Sequence, residues 1–252
     1  IFFESFLIQN KTIDKSYINQ LESDFVNKID PIIKKSLMSD VPCAFELKEM
    51  DNVYSHVSFN KQKATNRLTK KRFIDSIRDC MFEKMEKDNS VIIMGQDIAE
   101  YGGVFKVTEG LFKKYPNRVI NTPIIESGVL GASMGLAFEG YKPIIEMQFA
   151  DFVSCGFNQI INNISKNYYR WGEPVNITIR MPSGGGIGAG PFHSQCPESW
   201  FFHVPGLKIV APSNQMDAKG LMISAIDDPN PVLFFEHKGL YRGIKGNVPI
   251  NE

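Results

Sequence analysis

Arg118-Val119-Ile120-Asn121-Thr122-Pro123-Ile124-Ile125-Glu126-Ser127-Gly128 is the stretch that decides the fold. A β-rich run, Arg118 to Ile120, meets a turn braked by Pro123. One carboxylate, Glu126, then stands at the mouth of a Gly/Ala-rich helix running through Leu130, Met134 and Leu136. Ligands of α/β proteins tend to sit at such strand-to-helix junctions, and a helix N-terminus favours negative charge. On this segment alone two readings of Glu126 stay open. It is either a simple complement to the helix dipole, common in acidic first turns, or a ligand group.

The same alternation extends outward in both directions. Thr69 is predicted to cap a helix with Phe73, Ile77, Met81 and Met85 on one face. Strands are predicted at Val91–Met94, Val119–Ile120, Pro143–Met147, Val175–Met181, Leu207–Val210 and Pro231–Phe235. Helices are predicted at Thr108–Tyr115, Ser127–Phe138, Phe157–Tyr169, and from Asn214 to Ile226, the last opened by Asn214 and Asp217. Strands and helices at this rhythm argue for an α/β fold, a mostly parallel sheet with helices on both faces. Ahead of it, Ile1 to Leu37 reads as helical, with Leu21, Phe25, Ile29 and Ile33 on one stripe. Met38 to Asn66 is broken and polar, a linker or a crossing arm. The expected division is therefore residues 1–66 and 67–252.

With 252 residues, 43% of them hydrophobic, the chain can bury a sizeable core. Lys+Arg and Asp+Glu are both 28, so no electrostatic field draws it to nucleic acid or an anionic membrane. No run is long and apolar enough to span a bilayer. Ile1 to Ile8 is hydrophobic but lacks a basic region and a cleavage site, so it does not read as a signal peptide. An opening Ile reads as a fragment or a processed product. Cys43, Cys80, Cys155 and Cys196 have no metal spacing and read as reduced, mostly buried thiols of a reducing compartment.

Several groups bear chemistry. Ser183 to Gly190 is glycine-rich but followed by neither Gly-Lys-Ser/Thr nor a helix. It is either a mobile surface loop or a place where backbone closely approaches a ligand. His193 follows on the same loop, as a structural residue or a catalyst. His56, His193, His203 and His237 are scattered without zinc spacing. Gln148-Phe149-Ala150-Asp151-Phe152 offers core aromatics or a platform for a heteroaromatic ring. With Gly95-Gln96-Asp97 ending another strand, Gln96, Glu126, Phe152 and His193 are predicted to converge on one crevice. Gly128, Gly131 and Gly135 leave a bare helix face, for contact with another helix or close packing on its own sheet.

These residues also carry a resemblance. Gly95-Gln96-Asp97-Ile98-Ala99-Glu100-Tyr101-Gly102-Gly103-Val104-Phe105-Lys106, Asn121 to Glu126, Glu146 to Phe152, Pro191 to Gln195, Pro205 to Leu221 and Asp228 to Val232 resemble, in unbroken order, the β subunit of 2-oxo acid dehydrogenase E1 components. The likeness covers Thr69 to Glu252 and leans to the branched-chain type. Phe3-Glu4-Ser5-Phe6-Leu7 and the helix to Leu37 resemble the last helices of an E1 α subunit, as in a bacterial fused α-β form cut at both ends. The α segment that holds magnesium and diphosphate is not in this sequence, nor is the family's carboxyl-terminal β domain.

The resemblance implies the pyrimidine-binding half of a thiamine-diphosphate enzyme that decarboxylates a 2-oxo acid and passes the acyl group to the lipoyl group of E2. Glu126 matches the carboxylate on the aminopyrimidine N1′, a contact that favours the imino tautomer and makes N4′ a base beside the thiazolium C2. For that role Glu126 needs a dry site. Phe152 matches the ring stacked on the pyrimidine, Ile124 and Gln148 line its pocket, and His193 matches the histidine near the intermediate. Gln96 stands where many members have Glu. Magnesium is implied with ligands from the α part. A structural potassium is implied near Ile177, Thr178, Asp228 and Asn230, held mostly by backbone carbonyls. The implied partners are an α part or a second copy, in a dimer of αβ units, together with a lipoyl-bearing E2 and a small 2-oxo acid, with no nucleic acid and no membrane. The implied compartment is cytoplasm for a bacterial form and mitochondrial matrix for a eukaryotic one. Two alternatives stay open: a thiamine enzyme of transketolase or deoxyxylulose-phosphate-synthase type, and a non-catalytic assembly module.

Overall fold

Strands Val91–Gly95 (β2), Lys142–Glu146 (β4), Thr178–Ser183 (β5) and Val232–His237 (β7) are almost wholly buried, the mark of parallel strands covered on both faces. The computed structural model describes residues 2–58 and 65–250. Ile1, the stretch 59–64 of the expected linker, and the last two residues lie outside that description. Close contacts divide the chain into residues up to Glu46 and residues from Leu47 on.

The first unit holds two helices, Phe2–Gln9 (α1) and Lys15–Leu37 (α2), rather than one. Asp14 separates them because its carboxylate caps α2 by accepting from the Tyr17 N–H at 2.8 Å. The stripe Leu21, Phe25 and Ile33 is exposed, and no residue of α2 is buried among the described residues.

In the second unit, a short helix Glu46–Asp51 (α3) leads to strand Leu68–Arg72 (β1), which pairs antiparallel with the last strand, Lys245–Pro249 (β8). Thr69 is thus a strand residue opposite Val248, and the helix predicted to start there begins at Phe73 instead (α4, Phe73–Lys87). The predicted helix Thr108–Tyr115 shrinks to Leu111–Lys114 (α5). Gly110 at φ +85° breaks it, and Thr108 spends its hydroxyl on the Ile98 carbonyl at 2.8 Å. Strand Val119–Asn121 (β3) and helix Glu126–Phe138 (α6) follow. The predicted helix Phe157–Tyr169 is replaced by a 3-10 segment Ala150–Gly156, a π turn Gln159–Ile164 and a short helix Asn167–Trp171 (α7). The Ser165 N–H reaching the Ile160 carbonyl at 3.0 Å marks the widened turn. Strand Lys208–Val210 (β6) and helix Gln215–Asp227 (α8) complete the set. Asn214 caps α8 by accepting from the Asp217 N–H at 2.9 Å.

The six-stranded sheet is wholly parallel, in the order β3-β2-β4-β5-β7-β6. Alternate residues serve its two faces. Ile93, Ile144 and Phe234 pack with Phe73, Met81, Met222 and Ile226 of α4 and α8. Ile92, Ile145, Ile179 and Phe235 pack with Leu130 of α6 and with Ile160 and Ile164 of the π turn. Such burial is worth about 25 cal/mol per Å² of apolar surface. No helix among the described residues is long and apolar enough to cross a membrane. Of the four cysteines, expected to be mostly buried, only Cys80 is buried and Cys43, Cys155 and Cys196 are exposed.

The central strands are tied at their carboxyl ends by charge. Arg180 is fully buried; its Nη1 meets Glu146 Oε2 at 2.5 Å and its Nε meets Glu236 Oε1 at 2.7 Å. Tyr241 donates to Glu236 Oε2 at 2.7 Å. Burial pushes the Glu146 carboxyl above the usual carboxylate range, with Arg180 pulling it back. Burial alone would push the guanidinium down, but the two carboxylates outweigh it and raise it. Arg180→Met is expected to cost about 3–5 kcal/mol of stability by leaving two buried carboxylates uncompensated. Urea unfolding measures this, and replacing Arg180, Glu146 and Glu236 together by Met, Gln and Gln is expected to cost less than the single change.

Candidate active site

The sheet order reverses between β2 and β4, because β3 lies on one side of β2 and every later strand on the other. A crevice opens beyond the carboxyl ends of strands at such a reversal. Gln96 and Asp97 leave β2 there, the turn to Glu126 leaves β3, and Met147 to Phe152 leaves β4. Backbone ties the first two together: Thr122 N–H donates to the Gly95 carbonyl at 2.9 Å, and Ala99 N–H to Asn121 Oδ1 at 2.9 Å. Asp97 sits at φ +56°, a left-handed conformation uncommon outside glycine, and its carbonyl accepts the Gly103 N–H at 2.8 Å.

Glu126 is the first residue of α6 and half-buried. Its Oε1 accepts from Gln96 Nε2 at 3.2 Å. Beside it Ile124 is 83% exposed and Ile125 51% exposed. This chain therefore leaves one side of the carboxylate open, and the dry site expected for Glu126 requires a further surface. Gln148 Nε2 donates to Asp97 Oδ2 at 3.3 Å, joining the ends of β4 and β2.

Phe152 and His193 form a second group, with Phe149 between them. The His193 ring stands edge-on to Phe149 at 4.6 Å and to Phe152 at 5.5 Å, and Phe149 meets Phe152 at 5.5 Å. The Ala189 carbonyl lies 3.2 Å from His193 Nδ1. A carbonyl only accepts, so this contact keeps the proton on Nδ1 and leaves Nε2 to exchange one. The Phe152 segment reaches α6 at Gly156, where a Cβ would collide with Leu130 Cδ1 and lie 3.7 Å from the Glu126 carbonyl.

The structure thus joins Gln96 to Glu126 and Phe152 to His193, sets Gln148 between strands, and leaves Ile124 at the rim. Ile177, Thr178, Asp228 and Asn230 lie elsewhere, at the amino ends of β5 and β7. There Asp228 meets Lys208 Nζ at 2.5 Å, Asn230 Nδ2 donates to the Ser55 carbonyl at 2.9 Å, and the Ile177 carbonyl accepts the Val232 N–H. The Thr178 hydroxyl is buried without a hydrogen-bond partner. Lys208 thus already answers the Asp228 charge.

Sequence reading assigned no role to Asp97, Asp151 or Lys238. Asp151 lay inside a run read for its rings, and the signal was a carboxylate wedged between aromatics at a strand end. The glycine loop is built on backbone contact: the Gly184 N–H donates to the Gln195 carbonyl at 2.9 Å, and Gly184, at φ +84°, lies flat against the His237 ring.

A model of the transketolase pyrimidine-binding domain matches residues 70–244. The chain is 48% identical over 185 residues to the 2-oxoisovalerate dehydrogenase subunit beta of Bacillus subtilis (strain 168), covering 71% of this chain and 56% of that protein. It is 43% identical over 187 residues to the mitochondrial subunit of the same name from Dictyostelium discoideum, covering 73% and 50%. It is 44% identical over 179 residues to the pyruvate dehydrogenase E1 component subunit beta of Acholeplasma laidlawii, covering 70% and 55%. The chain thus spans about half the length of the curated relatives it matches. A split-gene transketolase, an inactive β4 tetramer, shares the fold with a TM-score of 0.53 at 18% identity, over 65% of this chain and 50% of that one.

Gly184→Ala forces a left-handed alanine into the His237 ring. A loss of about 1–3 kcal/mol is expected in urea unfolding, the usual cost of a strained backbone position.

Proposed function

Because the chain belongs to the transketolase pyrimidine-binding domain family, we propose that it is the pyrimidine-binding half of a thiamine-diphosphate-dependent E1 component. Its reaction is oxidative decarboxylation of a small 2-oxo acid, with the acyl group passed to a lipoyl group on E2. The observation that carries this reading is Glu126, a half-buried carboxylate at the first position of α6, hydrogen-bonded to the Gln96 amide at the sheet reversal. The identities with E1 β subunits support it.

The residues present fit the aminopyrimidine end of the cofactor. Glu126 offers a carboxylate oxygen for a ring nitrogen, Phe152 an apolar ring, Gln148 an amide and Ile124 an apolar edge. The chemistry supplied by bound thiamine diphosphate is an electron sink for the pair released when carbon dioxide leaves a 2-oxo acid. Glu126 holds and returns a proton at the pyrimidine N1′. An amide at Gln96, in place of a second carboxylate, spares Glu126 a like charge at 3.2 Å while still orienting it. His193 exchanges a proton through Nε2 near the acyl group, its ring steadied by Phe149 and Phe152.

The diphosphate and magnesium fall to an α-type partner, whose surface also closes the open side at Ile124 and Ile125. The proposed assembly is a dimer of αβ units serving a lipoyl-bearing E2, in cytoplasm or mitochondrial matrix according to the host. A potassium ion at Ile177, Thr178, Asp228 and Asn230 belongs to the same proposal and depends on backbone carbonyls.

Titration calorimetry with thiamine diphosphate and magnesium is expected to give feeble binding to this chain alone and strong binding once an α-type partner is added. Tight binding by the chain alone contradicts a divided site. In the assembled enzyme, Glu126→Gln is expected to keep the fold by circular dichroism and to lower carbon dioxide release by about two orders of magnitude or more, as loss of an acid–base group does. Undiminished release from pyruvate, 2-oxobutyrate and 2-oxoisovalerate overturns the role given to Glu126.

A further inference from the structure

Asp151 is 5% exposed and lies in sequence between Phe149 and Phe152, whose rings flank His193. Its Oδ1 accepts two backbone N–H groups, from Ser194 and from Gln195, each at 3.1 Å. Both belong to the segment that carries His193. Its Oδ2 is buried with no hydrogen-bond partner. Lys238, also 5% exposed, follows β7, and its Nζ is likewise buried without a hydrogen-bond partner. That ammonium lies 5.3 Å from the centre of the Phe149 ring, whose edge-on neighbour is His193.

We infer that Asp151 is a positioning residue for His193: its buried carboxylate pins the backbone just beyond the histidine, with Lys238 as the buried opposite charge behind Phe149. This rests on the E1 reading for its catalytic consequence, but the anchor itself does not. A buried carboxylate receiving two backbone N–H groups makes a pair of charge-assisted hydrogen bonds to a loop. Otherwise the loop is held by the Gly184 N–H to the Gln195 carbonyl and by local bonds from His193 and Ser194 to the Gly190 carbonyl, while Gly186, Gly188 and Gly190 have positive φ and a Cβ at any of them would meet nothing within 4 Å. A loop so sparsely packed needs a fixed point, and the carboxylate supplies one within two residues of the ring to be aimed. Burial pushes the Lys238 ammonium below the ordinary lysine range while Asp151 and Cys196 pull it back up, as a pair of opposite charges sharing one enclosure does.

The test has an arm free of catalysis and an arm that uses it. Amide exchange is measured on full-length protein in peptides spanning Ser194 and Gln195. Asp151→Ala is expected to speed it by about tenfold or more, the effect of losing hydrogen bonds to a charged group, with exchange in α8 unchanged. Asp151→Asn, which keeps an acceptor oxygen without the charge, is expected to fall between wild type and Ala. If the alanine variant does not fold, the Asn variant decides alone. Exchange at the wild-type rate in the variants overturns the anchor.

In the assembled enzyme, Asp151→Ala is expected to lower kcat by about 10²-fold with KM little changed, the scale of a misplaced catalytic group. On a His193→Ala background the same change is expected to cost nothing further. Full additivity overturns the claim that Asp151 acts through His193. A wild-type assembly that releases no carbon dioxide from 2-oxo acids sinks the E1 reading instead, and the exchange rates still decide the anchor.

Discussion

Arg180, shared between Glu146 and Glu236, is the contact on which the functional end of the molecule depends. Each partner is near the carboxyl end of a different central strand, so one guanidinium fixes the spacing of β4, β5 and β7 where their loops begin. Those loops carry Gln148, Asp151 and Phe152, then the glycine run with His193, then His237 and Lys238. A buried ion triad contributes little net stability. Its value here is registration, because carboxylate and guanidinium forks tolerate little sliding. Burial raises the Glu146 carboxyl, Arg180 pulls it back, and the second carboxylate, Glu236, adds a smaller upward push.

Above that base the site is divided by function. Gln96 and Glu126 form a polar pair at the reversal of the sheet, while Phe149, Phe152 and His193 form a ring cluster over the next strand ends. Gly156 lets the two lie close, since any side chain there would push Leu130 and the start of α6 away. Ile124 and Ile125 lie exposed at the rim of the polar pair.

Most of the sheet was legible from sequence because fully buried strands spell themselves out, as Val91-Ile92-Ile93-Met94 does. The pairing of β1 with β8 was not legible: Leu68-Thr69-Lys70-Lys71-Arg72 has no apolar alternation, and its partner lies far along the chain. The π turn escaped for a different reason, since Ile160 and Ile164 sit at helical spacing whichever carbonyl the Ser165 N–H selects. In the site, the Gln96–Glu126 and Phe152–His193 contacts follow strand ends and loops that the sequence marks. The contacts of Asp151 with the Ser194 and Gln195 N–H groups carry no such mark, because backbone amides have no sequence signature. The stripe on α2 is apolar as read and lies exposed, since amphipathicity says what a face is made of and not what covers it.

The β1–β8 ribbon has one more implication. It clamps residues near 68 to residues near 249, so two positions far apart in sequence are held at a single corner. Displacement at one of those positions is passed to the other through the ribbon, which stands apart from the six-stranded sheet.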